Sequence, residues 1–258
     1  MPEAERKAAI VTGGLAGIGL AVAQALARDG FRVAVGARRG DDPDLQAMVR
    51  DRIGRDTIVC GLDVRRESSV AGFCRSVASA TGRVDALVNA AGISVHQPVS
   101  GHGLQDWQDV IDTNLTGPFL MTRACLPGMI AAGRGRIVNI ASTAARTAVA
   151  DHPAYCASKS GLLGLMRAVA REGAPHGVTC VTVSPTWVET DMLRQSAGII
   201  ARSAGRAAED VTADIARSNP QNRLVQPSEI ASLVAFLCSD AAPALTMEDI
   251  SVNAGAHW

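Results

Sequence analysis

Along the chain, short apolar runs alternate with longer segments whose apolar residues recur at helical spacing. Seven runs read as strands: AAIVT (8–12), FRVAVG (31–36), TIVCGL (57–62), VDALVNA (84–90), GRIVNIA (135–141), GVTCVTV (177–183) and DISVNA (249–254). Helices are predicted near 17–29, 43–53, 66–81, 104–115, 118–132, 154–172 and 227–239. Most of the strands are apolar at successive positions, so both of their faces must be covered, and the intervening helices are what parallel crossovers require. The pattern predicts an α/β fold: one doubly wound, Rossmann-type domain over residues 1–258 with a seven-stranded parallel sheet. Residues 189–220 break the rhythm. They are rich in Ala, Arg and Ser, have helical character and no strand after them, and are expected to form a small lid over the strand ends.

Composition changes this picture little. A chain of 258 residues suits one open α/β domain. Twenty-five Lys and Arg balance twenty-five Asp and Glu, so no net field draws the chain to nucleic acid or an anionic membrane, and the expected partner is a small, roughly neutral molecule. The six cysteines form no CxxC pair and sit mostly in apolar runs, as reduced core thiols do. His96, His102 and His176 show no metal-ligand spacing with acids or cysteines. The segment MPEAERKAAIVTGG begins charged and runs straight into a strand, and no apolar run approaches the roughly 20 residues that span a bilayer, so the expected compartment is the cytoplasm.

TGGLAGIG (12–19) follows the first strand and opens a helix. Gly13 permits the tight turn, Gly17 lets backbone approach a phosphate, and Gly19 lets helix pack on strand, while the helix amino end offers N–H groups to a diphosphate. Leu15 and Ile18 of this loop are counted among the cofactor contacts. At the end of the second strand, GARRGDD (36–42) has Ala37 where NAD-preferring folds place an acid for the ribose 2′-hydroxyl, and Arg38 follows it. A guanidinium suits a 2′-phosphate, which favours NADP; NAD remains open, because Asp41 or Asp42 could still reach a ribose. Farther along the carboxyl edge, Asp63 is placed against the adenine amino group with Val64 beside it. In NAAG (89–92), Asn89 is expected to tie strand to strand, and Ala90 and Gly92 to admit the cofactor.

The stretch DHPAYCASKSG holds the only tyrosine, Tyr155, with Lys159 four residues later on the same helical face. A free phenol, with a pKa near 10, needs a cation beside it to exchange protons at neutral pH, and that spacing supplies one. Ser142, just past GRIVNIA, is expected as a donor to the substrate oxygen, and Asn114 completes a proton-transfer set. Cys156 lies about 100° around the helix from Tyr155 and is expected to be packed.

Together TGGLAGIG, NAAG, Asn114, Ser142 and YCASK resemble the short-chain dehydrogenase/reductase family over essentially the whole chain. The resemblance implies an Asn–Ser–Tyr–Lys tetrad in which the lysine also holds the nicotinamide ribose and the asparagine a relay water. It also implies cofactor contacts from Pro185, Val188 and Thr190, with no metal. One departure stands out: the family's usual Pro-Gly after the sixth strand is Pro185-Thr186 here. A homotetramer is expected from the same resemblance. One interface would pair helix 154–172 with its symmetry mate through Ala157, Ser158, Gly161 and Gly164; the other would use the seventh strand and the nearby helix.

Substrate contacts are expected from Ser94, His96, Ala144, Arg146, His152, Trp187 and Met192. Arg146 either pairs with an anionic substrate group or stays a surface charge, and His152 either lines the pocket mouth or faces solvent. The tail, with SNPQNRL, AFLCSD and SVNAGAHW, is similar to that of 3-oxoacyl, polyketide-type and 3-hydroxybutyrate members. Ser94 and Ala144 nevertheless stand where the hydroxybutyrate members have glutamine and histidine. Trp187 and Trp258 suit a moderately apolar ketone or secondary alcohol. The implied function is hydride transfer between a nicotinamide cofactor and such a substrate. Two rivals are a nucleotide-sugar epimerase or dehydratase, which needs a longer carboxyl-terminal part, and a catalytically silent cofactor-binding regulator.

Overall fold

The computed structural model describes residues 6–256. Its strands are β1 (Ala8–Thr12), β2 (Arg32–Ala37), β3 (Ile58–Gly61), β4 (Ala86–Asn89), β5 (Gly135–Ile140), β6 (Val178–Pro185) and β7 (Asp249–Val252). They form one sheet in the order β3-β2-β1-β4-β5-β6-β7, with every neighbouring pair parallel. This is the doubly wound α/β arrangement expected from the apolar runs. Strand alternation divides the core: Ala9 and Val11 face one cluster, Ile10 the other. Helices α1 (Gly17–Arg28), α2 (Pro43–Ile53) and α9 (Pro227–Cys238) cover the first face. Helices α3 (Glu67–Thr81), α5 (Gly117–Ala131) and α6 (Pro153–Gly173) cover the second.

Two local features depart from the sequence reading. Helix α4 stops at Ile111 (Leu104–Ile111), and Asp112–Thr116 form a π-helical turn that runs directly into α5. The extra residue in that turn rotates Asn114 inward, where it is fully buried. In α6, two of the four small residues expected to face a symmetry mate are used inside the chain. The Ser158 hydroxyl accepts from Asn114 Nδ2 at 3.1 Å, and a Cβ on Gly161 would stand 2.8 Å from Leu115 Cδ2. Gly164, by contrast, has open space beside it.

Residues 189–220 contribute two helices, α7 (Asp191–Ala204) and α8 (Ala208–Ser218). Ala197, Ala201 and Val211 bury against each other, so the pair carries its own small core instead of extending the sheet. Among the described residues, no helix is long and apolar enough to cross a membrane.

Candidate active site

At the crossover between β1 and β4 the chain leaves the sheet in opposite directions, which opens a crevice at the carboxyl edge. Gly13 turns there at φ 71°, and a Cβ on it would lie 2.8 Å from Ala91 Cα. Gly19 packs so close to the turn that a Cβ would meet Gly13 O at 2.5 Å. Gly17, at φ 54°, faces Thr190. Helix α1 starts without a side-chain cap or an acidic residue in its first turn, so its N–H groups point outward unpaired with side chains. Thr12 was not anticipated. Its Oγ1 accepts from the N–H groups of Ala90 and Ala91 at 3.1 Å each, which fastens the NAAG loop to the glycine loop. Asn89 ties β4 to β5 through Nδ2 and Asn139 Oδ1 at 2.8 Å, and the residue is 2% exposed. Leu15 packs against the core beside α1.

A cavity of about 180 Å³ is lined by Gly13, Ala37, Arg38, Asp63, Val64, Arg65, Gly92 and neighbouring residues. Both acids that compete with Arg38 are engaged elsewhere. Asp41 Oδ1 accepts from Gly61 N–H at 2.7 Å, while Asp42 caps α2 and pairs with Arg39 at 2.7 Å. Asp63 lines the cavity and is held by a neighbour not foreseen in the sequence. Arg65 grips its carboxylate with Nε at 2.9 Å and Nη2 at 2.8 Å, and this pairing holds the Asp63 pKa below its ordinary value. Arg65, missed in the sequence, therefore brings a second guanidinium to this cavity.

Beyond Gly92 a second cavity, of about 170 Å³, is lined by Ile18, Ala90, Ser94, Ser142, Ala144, His152, Tyr155, Lys159, Pro185, Trp187, Val188, Thr190 and Met192, among others. Tyr155 and Lys159 share one face of α6, with Nζ 5.5 Å from the ring centroid. Ser142 lines the same cavity as the phenol, and its Oγ accepts from Ala144 N–H at 3.1 Å. Burial raises the Tyr155 pKa, and the neighbouring Ser142 hydroxyl opposes that rise. The Lys159 ammonium is buried as well. It donates to Ile140 O at 2.7 Å, and desolvation lowers its pKa from 10.5 to about 8. Asn114 lies behind this wall: Ile93 N–H donates to its Oδ1 and its Nδ2 donates to Ile93 O, both at 2.9 Å. With its bond to Ser158, it clamps the loop after β4 onto α6.

The segment 185–190 stays ordered without the expected glycine. Thr186 N–H donates to Val252 O at 3.2 Å and Val225 N–H to Trp187 O at 3.2 Å; Thr186 is not among the residues with positive φ. Thr190 caps α7 by accepting from Leu193 N–H. Two of the expected substrate contacts, Arg146 and His96, are not among the residues lining the cavity. Arg146 Nε pairs with Asp249 Oδ2 at 2.8 Å on β7, where Thr182 and Ser184 also donate to that carboxylate. His96 stands behind His152, and Trp258 lies outside the described residues.

The two cavities share Gly92 and make one elongated crevice, with two guanidiniums and a bare helix end on one side and a shielded phenol on the other. That donor set and the glycine cradle fit a dinucleotide. A family model described as Enoyl-(Acyl carrier protein) reductase matches residues 13–257. The chain is 37% identical over 253 residues to an acetoacetyl-CoA reductase of Cupriavidus necator, covering 98% of each. It is also 37% identical to the D-threitol dehydrogenase of Mycolicibacterium smegmatis, covering 96% of this chain and 92% of that one. A crystal structure of a variant actinorhodin polyketide ketoreductase with NADPH superposes with a TM-score of 0.94 at 35% identity, covering 99% of both chains. With sheet order, glycine loop and relatives in agreement, the chain belongs to the short-chain dehydrogenase/reductase family of NAD(P)-dependent oxidoreductases.

Proposed function

We propose that the protein is an NADP(H)-dependent carbonyl reductase and alcohol dehydrogenase for a small, neutral ketone or secondary alcohol, with 3-oxoacyl compounds among the candidate substrates. One observation carries this reading: Tyr155, Ser142 and Lys159 line a single cavity, with Tyr155 and Lys159 on one face of α6. Ser142 polarises the substrate carbonyl, and Tyr155 delivers the proton to its oxygen or removes it in the reverse direction. Bound nicotinamide supplies or accepts the hydride at carbon. The Lys159 ammonium, on the same helical face, favours the phenolate left behind, and we assign it to the nicotinamide ribose as the family resemblance implies. Asn114 fixes the loop after β4 against α6, so phenol and cavity floor keep their spacing.

The preference for NADP rests on Arg38, supported by Arg65, in a cavity where Asp41 and Asp42 are held away by other partners. The relative crystallised with NADPH agrees with it. We assign α7 and α8 the role of a lid, and we infer a homotetramer. Gly164 on α6 has open space for a close neighbour, and Phe236 on α9, beside the β7 side of the sheet, is 45% exposed. The six free cysteines suit the reducing cytoplasm. A panel of ketones followed through NADPH absorbance tests the reaction: turnover of at least one ketone class is expected, and none across the panel would refute it. Light scattering at micromolar concentration tests the assembly.

A further inference from the structure

His152 borders the cavity beside Tyr155, and the reaction as written gives it no task. Its orientation is nevertheless fixed from several directions. Nδ1 lies 2.7 Å from the carbonyl oxygen of Ala150. A carbonyl oxygen only accepts, so Nδ1 carries the proton, and the neutral ring leaves Nε2 as an acceptor. His96 meets the ring edge-on, with centroids 4.8 Å apart and planes at 84°, and its own Nε2 stands 3.6 Å from Asp151 Oδ2. Asp151 adopts a left-handed backbone at φ 58°, while its carbonyl accepts from Gln97 N–H at 2.8 Å. Such a conformation in a residue other than glycine persists where its surroundings over-determine it. What they determine here is the direction of one imidazole, 5% exposed and edge-on to Tyr155 at 6.4 Å. Among the described residues, Nε2 accepts no hydrogen bond. The cavity wall offers no cation besides Lys159, because Arg146 is turned to Asp249.

Resting on the reductase reading above, we propose that His152 is a specificity residue whose Nε2 accepts a hydrogen bond from a substrate hydroxyl. The site then selects neutral hydroxy ketones, and diols in the reverse direction, over their deoxy counterparts. Burial lowers the His152 pKa; the Ala150 carbonyl raises it, His96 lowers it and Asp151 raises it, and burial prevails. Tyr155 is the remaining titratable group edge-on to the ring, and Lys159 lines the same cavity. Protonation would turn Nε2 into a donor, and a hydroxyl, which also accepts, would keep a partner there in either state.

The test compares kcat/KM, with NADPH, for two isosteric pairs: hydroxyacetone against butanone, and hydroxycyclohexanone against methylcyclohexanone, each substituted beside the carbonyl. We expect the wild-type enzyme to favour the hydroxyl member roughly three- to tenfold, chiefly through KM. The ratio should fall toward one in His152→Leu and recover in His152→Gln, whose amide oxygen accepts; comparing variants cancels the intrinsic reactivity of each ketone. A wild-type ratio of one or less, or a ratio that survives in His152→Leu, overturns the inference. Should His152→Leu fail to fold, His152→Phe, whose ring likewise cannot accept in the plane, takes its place in the comparison. Reduction of the methyl ketones without any hydroxyl preference sinks this inference and leaves the reductase reading standing; no turnover of any of the four removes both.

Discussion

The two ends of the crevice are built by different means. Around Gly13 and Gly19 the chain makes its shape from backbone, with a positive φ and approaches so close that no Cβ would fit. Around Tyr155 it makes its shape from side chains on segments distant in sequence: Ser142 from the loop after β5, Trp187 from the loop after β6, and Asn114 through a π-helical turn. A backbone site tolerates few residue types and is stiff, whereas a side-chain site can exchange one group at a time. The nucleotide end should therefore fail through fit, and the substrate end through chemistry.

The sharpest break is Tyr155→Phe, which removes the proposed proton donor and leaves the glycine end intact. Turnover should fall by about 10²–10⁴-fold while NADPH affinity, measured by fluorescence titration, stays within about twofold. Retention of a tenth of the wild-type kcat would remove Tyr155 from its role. Next in size is Arg38→Ala. Losing charge-assisted bonds to a 2′-phosphate should lower the NADP-to-NAD ratio of kcat/KM by about ten- to a hundredfold, and Ala37→Asp should push it further toward NAD. A wild-type enzyme that already prefers NAD would contradict the cofactor assignment and leave the catalytic one untouched.

Smaller effects sharpen the contrast. Arg146→Met should reduce stability by about 1 kcal/mol in urea melts, because it weakens the pairing of a buried Asp249 carboxylate through a half-exposed partner, with KM for ketones unmoved. A large rise in KM would return Arg146 to the substrate. Thr186→Gly should cost less still, about 0.5–1 kcal/mol through the freer unfolded chain, since Thr186 already fits its place. A gain in activity from that change would mean the loop needs the glycine's freedom after all.

Legibility followed the same division. The glycine loop, the seven strands and the Tyr155–Lys159 pair are local patterns, set by periodicity or by residues within one turn of helix, and the structure places them where the sequence implied. Thr12, Arg65 and the turn of Asn114 were not legible, because each depends on a partner more than one element away or on a local change of helical pitch. Arg146 shows the converse failure. Its distance from Ser142 along the chain suggested the cavity, but a buried carboxylate on β7, a hundred residues later, gave its guanidinium a better-shielded partner. Ser158, read as part of an outward stripe, is buried against Asn114 for the same reason.

The buried Lys159 makes the fold itself a participant in proton equilibria. With a folded pKa of about 8 against 10.5 for a free side chain, the native chain binds fewer protons than the unfolded one between those values. Stability conferred by this group is therefore fully present only above the unfolded value, and it is lost as pH falls through about 8. At neutral pH the protein carries a desolvated ammonium at a cost in folding free energy. By linkage, any ligand that places negative charge beside Nζ recovers part of that cost, draws a proton from solvent on binding near and above pH 8, and raises the melting temperature most below that pH, where the lysine is fully charged.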